Sequence, residues 1–188
     1  MNKFIQLACA ALLSFSALAA QTAATKLDIL NLKAQSEHVL TSGQPSQTDF
    51  AKLKQLGVEN IINLRGDNET NWSEQELVTE LGMNYYHIPV QSKADITIEN
   101  ATKLQALLNE HQQQTTLLHC ASSNRVGALV ALYNAITLEK PIDEAVEIGK
   151  QWGLKSLEGV VRSKVNEKLV SHKLTNFLLF CFSYSCHA

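Results

Sequence analysis

The sequence predicts an α/β protein: a three-layer sandwich whose mostly parallel central sheet is flanked by helices. Three observations predict it. Short apolar runs alternate with helical segments of about ten residues, the pattern of a parallel sheet with crossover helices. Several of the helical segments open on a capping residue or a proline and stop at a glycine. A cysteine stands where the last apolar run passes directly into a helix, the place where open sheets of this kind hold their ligands.

Residues 1–20 read as a signal peptide. Lys3 supplies the positive start, Phe4 to Leu18 the apolar stretch, and Ala17-Leu18-Ala19 the small-residue cleavage pattern. The protein is therefore expected to be secreted, with a bacterial periplasm as its compartment. Residues 21–37 read as a lead-in. His38 to Ser42 forms a first strand, and Gly43-Gln44-Pro45 turns the chain. Ser46 caps a helix from Thr48 to Leu56, ended by Gly57. Asn60 to Leu64 is the second strand, followed by the polar loop Arg65-Gly66-Asp67-Asn68-Glu69. Ser73 caps a helix to Leu81, with Gly82 as its stop. Asn84 to Val90 is the third strand, and a loop leads from it to Asp95. Thr97 opens a helix to about Gln112. Thr115 to His119 is the fourth strand. A helix follows from Val126, another runs from Pro141 to Trp152 with Gly153 as its end, and a last one starts near Ser156. The folded domain is assigned to residues 38–165.

Residues 166–188 form a separate, apolar tail. The stretch Leu174 to Phe182 is strongly apolar but too short to span a bilayer. No stable membrane insertion is expected once the signal is removed. The formal net charge of -2 gives no basic footprint for a nucleic acid, so none is expected as a partner. The six histidines show no metal-ligand spacing such as H-E-x-x-H, and no metal is expected. Cys181 and Cys186 lie close enough in sequence to pair in an oxidising compartment, which would leave Cys120 as an odd thiol.

The chemistry is expected at His119-Cys120-Ala121-Ser122-Ser123-Asn124-Arg125. A strand end that turns straight into a helix collects backbone N–H groups around one point and aims a helix N-terminus at it. Cys120 would lie at the floor of this anion nest and Arg125 at its rim. N–H groups and a guanidinium favour the thiolate, which is the nucleophilic form. The same groups can hold an oxyanion above it. The plain alternative is a buried, inert core cysteine; the strand–loop–helix context and the arginine speak against it. Trp72 and Trp152 read as packing residues, and His87 as a half-buried strand residue.

These landmarks carry a resemblance. Gly43-Gln44-Pro45, Leu56-Gly57-Val58, Ile61 to Arg65, Tyr86 to Val90 and His119 to Arg125 resemble the phosphatase-like domain of the bacterial beta-lactamase hydrolase-like proteins. That family is similar in fold to dual-specificity and tyrosine phosphatases. The resemblance covers roughly residues 38 to 160. It implies a cysteine-dependent phosphatase without cofactor, acting through a thiophosphate on a phosphorylated protein or small phosphoester. It makes Cys120 the nucleophile, Arg125 the oxyanion clamp, and Ala121 to Asn124 the phosphate-binding loop. His119 would tune the cysteine. Arg65, Asp67 and Glu69 match the family's polar loop, with Arg65 and Asp67 as supports of the site. Asp95 is the candidate general acid, with Asp67 as the alternative; the plain reading of Asp95 is a helix cap or a solvated loop acid.

Three departures shape the expectation. Four residues separate Cys120 from Arg125, one fewer than in ordinary tyrosine phosphatases. Ser123 stands where related loops carry a glycine, at a position that calls for positive φ. Val126 follows the arginine and cannot donate a hydrogen bond to a departing thiolate. Two alternatives follow. One is a rhodanese-like sulfurtransferase with a persulfide on Cys120, which the loop length favours. The other is a non-catalytic anion-binding module. The partner in every case is a phosphate-bearing or other oxyanionic ligand.

Overall fold

A computed structural model describes residues 27–185, with side chains through residue 171. Five strands, β1 (Lys33–Ser36), β2 (Val39–Ser42), β3 (Asn60–Asn63), β4 (Asn84–His87) and β5 (Thr116–His119), form one sheet in the order β1-β2-β5-β3-β4. β1 pairs antiparallel with β2, and every other pair is parallel. Among the described residues six α-helices accompany them: α1 (Gln47–Gln55), α2 (Glu74–Glu80), α3 (Ile98–Glu110), α4 (Asn124–Ile136), α5 (Ile142–Gln151) and α6 (Glu158–Ser185).

The two faces follow from strand periodicity. Successive side chains of a strand point to opposite faces, so Ile61 and Leu117 join one core while Ile62 and Leu118 join the other. The first core packs Phe50 and Leu53 of α1 and Val78 of α2 against Leu40. The second packs Ala101 and Leu104 of α3, Val126 and Leu129 of α4, Val146 of α5, and Val161 and Val165 of α6. This is the expected three-layer sandwich.

Local chemistry sets the element ends. Ser46 accepts from the Asp49 N–H while Asp49 returns to the Ser46 N–H, a capping box. Ser73 and Thr97 cap α2 and α3 in the same way, each accepting one orphan N–H. Gly153, with φ of 104°, turns the chain after α5, and a Cβ there would sit 2.4 Å from the Cβ of Ser123. α4 and α5 cross where Gly127 faces Gly149: a Cβ on Gly127 would meet the Gly149 carbonyl at 2.5 Å.

Two boundaries differ most from the sequence expectation, and a third, the end of the third strand, falls at His87 rather than Val90. β1 lies inside the stretch read as a lead-in. Its residues are mostly exposed, so it has no apolar alternation to announce it, and it joins the sheet through backbone pairing with β2 and a hydrogen bond from Gln35 Nε2 to Thr41 Oγ1 at 2.8 Å. At the other end, α6 runs unbroken from Glu158 past residue 166, so the apolar tail continues a helix of the domain. Among the described residues, no helix is long and apolar enough to cross a membrane. The signal sequence lies outside the described residues, and so do the side chains of Cys181 and Cys186.

Sheet register fixes where function can sit. Ser42 and Asn63 both align with His119, and Asn63 also aligns with His87. The carboxyl ends of four parallel strands therefore finish level. The loops after β2, β3, β4 and β5 gather at that one edge.

Candidate active site

Cys120 follows β5 and is 1% exposed. It opens into a cavity of about 310 Å³ together with Ala121, Ser122, Asn124 and Arg125, with Val90 to Lys93 and Ile96 as the opposite wall. Hydrogen bonding orients the loop around it. The Ala121 carbonyl accepts from the Gln44 N–H at 3.4 Å, and the Ser123 carbonyl from the Gly127 N–H at 3.0 Å. The Ser122 carbonyl accepts from Asn31 Nδ2 at 3.1 Å. In a trans peptide the N–H points opposite to the C=O. The Ala121 and Ser123 carbonyls, held from outside, thus turn the amides of Ser122 and Asn124, both in the cavity lining, towards the cavity, while the antiparallel bridge between Gly43 and Ser122 turns the Ser123 amide to β2. The N-terminal end of α4 adds the positive pole of its dipole.

Ser123 shows why a glycine was expected at its position. It adopts the left-handed conformation, φ 64°, as the residue before α4, and its buried hydroxyl has no hydrogen-bond partner. The conformation costs a non-glycine residue about 1 kcal/mol, and the unpaired hydroxyl adds a similar amount. Glycine gives part of this back through the entropy of the unfolded chain. Ser123→Gly is expected to raise stability by about 1 kcal/mol, read as a higher urea midpoint at unchanged slope; a fall would show that the serine makes a contact the loop depends on.

Arg125 is held by a carboxylate. Its Nη1 and Nη2 donate to Oε1 and Oε2 of Glu69 at 2.7 and 3.0 Å. Nη1 also reaches the Leu64 carbonyl at 3.4 Å. The end of the guanidinium is occupied, and the edge formed by Nε and the second Nη2 proton is left for an oxyanion. Glu69 also accepts from the Gly66 N–H at 2.6 Å and from Arg65 Nε at 3.3 Å. Burial opposes the charge on Glu69. The hydrogen bonds from Arg125 and Gly66, with the charges of Arg125 and Arg65, outweigh it and hold the carboxyl below its ordinary value.

A depressed carboxyl contributes stability that is present above its unfolded pKa and is lost as pH falls through the folded one. The wild type is therefore expected to be more stable than Glu69→Gln at pH 7. That gap should shrink as pH drops below the ordinary carboxylate value of 4.5. Urea unfolding of both proteins at pH 7 and in mild acid measures it. A gap that does not change with pH would show that the Glu69 charge carries none of the clamp.

Behind the nest lies a buried histidine–carboxylate pair that the sequence did not announce. His119 is fully buried, and its Nε2 lies 2.8 Å from Oε1 of Glu74, itself 4% exposed at the start of α2. Glu74 Oε2 accepts from Gln44 Nε2 at 2.6 Å, and Gln44 Oε1 accepts from Arg65 Nη1 at 2.5 Å. Arg65 Nη2 donates to the Glu69 carbonyl. One chain of polar contacts thus runs from the residue before the cysteine to the carboxylate that holds Arg125. Burial pushes Glu74 up, but the His119 hydrogen bond and charge, the Gln44 bond and Arg65 pull it below its ordinary value. Phe50 packs edge-on to both His119 and Trp72, at ring-centre distances of 6.1 Å in each case.

The structure places the remaining sequence candidates elsewhere. The Asp95 carboxylate accepts from the Ser92 N–H at 2.8 Å and the Ser92 hydroxyl at 3.0 Å, closing the single 3-10 turn Lys93–Asp95. The Ser92 backbone and hydroxyl bonds lower its pKa. The carboxylate does not line the cavity; Lys93 of the same turn does. Asp67 accepts at 2.9 Å from Nε2 of Gln91, a residue of the cavity wall, and is not itself part of the lining. His87 is exposed rather than half-buried, because it ends the edge strand β4; its Nε2 donates to the Arg65 carbonyl at 2.7 Å. Sequence reasoning missed Glu74 and Lys93. Glu74 looked like any acid in a first helical turn, and nothing local marks Lys93. Among the described residues, no group of histidine, cysteine and carboxylate side chains gathers as a metal site.

Comparison with known proteins gives the family and the fold. The family model described as "DSP-PTPase phosphatase fused to NAD+ Kinase" matches residues 12–168. A search of curated proteins found no match. Among solved structures, the chain is similar to a DUF442 candidate phosphatase of Shewanella putrefaciens CN-32. It is 28% identical over 75% of this chain and 94% of the other, with a TM-score of 0.57. A candidate phosphatase of Neisseria meningitidis Z2491 is 22% identical over 74% and 99% of the two chains, with a TM-score of 0.58. P. aeruginosa TpbA, solved in complex with phosphotyrosine, is 19% identical over 72% and 83%, with a TM-score of 0.52. The last two share the fold. The resemblance to dual-specificity and tyrosine phosphatases is borne out, and the chain belongs to the DSP-PTPase phosphatase family that the matching model describes.

Proposed function

We propose that the protein is a cysteine-dependent phosphatase of small phosphoesters or phosphorylated proteins. The observation that carries this reading is a single cavity holding the Cys120 thiol, loop amides turned inward and the free edge of Arg125. The Cys120 thiolate attacks phosphorus; the S–P bond forms as the ester P–O bond breaks. The leaving oxygen takes a proton from an acid. Water then attacks the thiophosphate and gives its proton to that acid's conjugate base; the S–P bond breaks and inorganic phosphate leaves. The amides of Ser122 and Asn124 and the Arg125 guanidinium hold the charge that builds on the equatorial oxygens. His119, kept in place by Glu74, orients the strand end that presents the thiol.

Asp95 serves as the acid after it leaves its Ser92 cap. Its turn forms the cavity wall, so this is a local rearrangement. The expected signature depends on the leaving group. Asp95→Asn is expected to change hydrolysis of an activated aryl phosphate less than tenfold and to slow an alkyl phosphate about 100-fold. Equal loss on both substrates would count against Asp95 as acid.

A second reading has its own observation: the cavity lining contains no carboxylate. That favours a persulfide carrier or an anion-binding module, neither of which needs an acid. Aryl phosphate hydrolysis and thiosulfate:cyanide sulfur transfer, measured on one reduced preparation, separate the three. Phosphate release without sulfur transfer is the expected result. Sulfur transfer alone, or phosphate binding with neither activity, would replace the proposal.

A further inference from the structure

We propose that Lys93 is a specificity residue: it pairs with a second anionic group, so the site prefers phosphoesters whose leaving group carries its own negative charge. The inference rests on the phosphatase reading of the Cys120 site and names a substrate class for it. Lys93 and Arg125 are the two cationic side chains in the cavity lining, and no carboxylate lines it. They differ in what holds them. Arg125 is compensated by both oxygens of Glu69, at 2.7 and 3.0 Å. Lys93 is exposed, and among the described residues its ammonium has no hydrogen-bond or ion-pair partner. The uncompensated charge of the cavity is therefore that of Lys93.

Its place matches the path of a leaving group. Lys93 stands on the wall opposite the Cys120 loop. Displacement at phosphorus is in line, so the leaving oxygen lies on the side away from the attacking sulfur. That side is the wall with Lys93. The wall is fixed while the lysine side chain is free. Ser92 Oγ accepts from the Ala94 N–H at 3.1 Å, and the Asp95 carboxylate accepts from the Ser92 N–H at 2.8 Å. The Asp95 carbonyl accepts from Asn100 Nδ2 at 2.9 Å, and Ile96 is fully buried in the second core. The carboxylates beside the wall are engaged, Asp95 with Ser92 and Asp67 with Gln91. At about 310 Å³ the cavity is small for a ligand pocket, with room for a phosphoryl group and a compact leaving group. A second anion on that group meets the ammonium.

The test uses the whole protein as wild type, Lys93→Gln, Lys93→Glu and Lys93→Arg. The probes are two phosphonates that cannot be hydrolysed and differ in one charge, 4-carboxyphenylphosphonate and 4-carbamoylphenylphosphonate. Calorimetry gives a Kd for each, and the readout is their ratio. At low salt the wild type is expected to bind the carboxylate about fivefold more tightly than the amide, the scale of an ion pair open to solvent. That preference should vanish in Lys93→Gln, invert in Lys93→Glu and persist in Lys93→Arg. Added salt should shrink it in the wild type. A lysine that only shapes the turn would move both affinities together and leave their ratio in place. No preference in the wild type, or an equal preference in Lys93→Gln, would overturn the proposal. The corresponding aryl phosphates should show the same change of ratio in kcat/KM between wild type and Lys93→Gln, carried by KM. A wild type that shows the preference in binding but hydrolyses neither ester would remove the phosphatase reading and leave the anion subsite standing. Hydrolysis of both esters with a ratio insensitive to Lys93 would overturn the subsite alone. A wild type that binds neither phosphonate would overturn both.

Discussion

Cys120→Ser is expected to reduce kcat/KM for an aryl phosphate by about 10⁴-fold or more while leaving phosphate binding largely intact. The two side chains are close in size, so the buried site beside β5 can accept the change. What disappears is the ionisable nucleophile: an alcohol stays protonated at neutral pH, and no base adjoins it in the cavity lining. The cradle, made of backbone amides and Arg125, is untouched. Initial rates beside calorimetric phosphate titration separate the two effects. Retention of more than a tenth of wild-type activity would place the chemistry on another group.

Arg125→Lys is expected to cost about 10³-fold in kcat/KM although the charge is kept. Arginine does two things here at once. Its end-on pair of nitrogens meets both oxygens of Glu69, and the residue lines the cavity. Lysine offers one compact ammonium on a flexible stem. It can pair with Glu69 or meet an oxyanion, and Glu69 is the partner already in place. Measured rates within tenfold of wild type would mean that simple attraction suffices and that the Glu69 clamp contributes no alignment.

How far the sequence spoke depended on whether the controlling interaction is local. The capped helices, the glycine stops and the strand–loop–helix around Cys120 rest on neighbours a few residues apart, and they stand where the pattern placed them. The positive φ of Ser123 was legible for the same reason: the turn demands it whatever residue occupies it. Asp95 was half legible. Ser92 and Asp95 are spaced as a capping box, and that short-range chemistry holds the carboxylate on its own turn. β1 was not legible, because an exposed edge strand of lysine, alanine, glutamine and serine carries no apolar period. Glu74 and His119 are 45 residues apart, and Asn31 and Ser122 are 91 apart. Their pairing depends on the register of the sheet and the packing of α2 and the N-terminal segment against it. No local pattern encodes either.

Phosphorus is expected to pass through the sulfur of Cys120. The most direct measurement mixes reduced protein with an aryl phosphate, quenches in alkaline denaturant during the first turnovers, and determines the mass of the peptide carrying Cys120. One phosphoryl group is expected on that peptide in the wild type, removed by weak acid, and none in Cys120→Ser. Phosphate release with an unmodified Cys120 peptide, or a phosphoryl group found on any other residue, would contradict it.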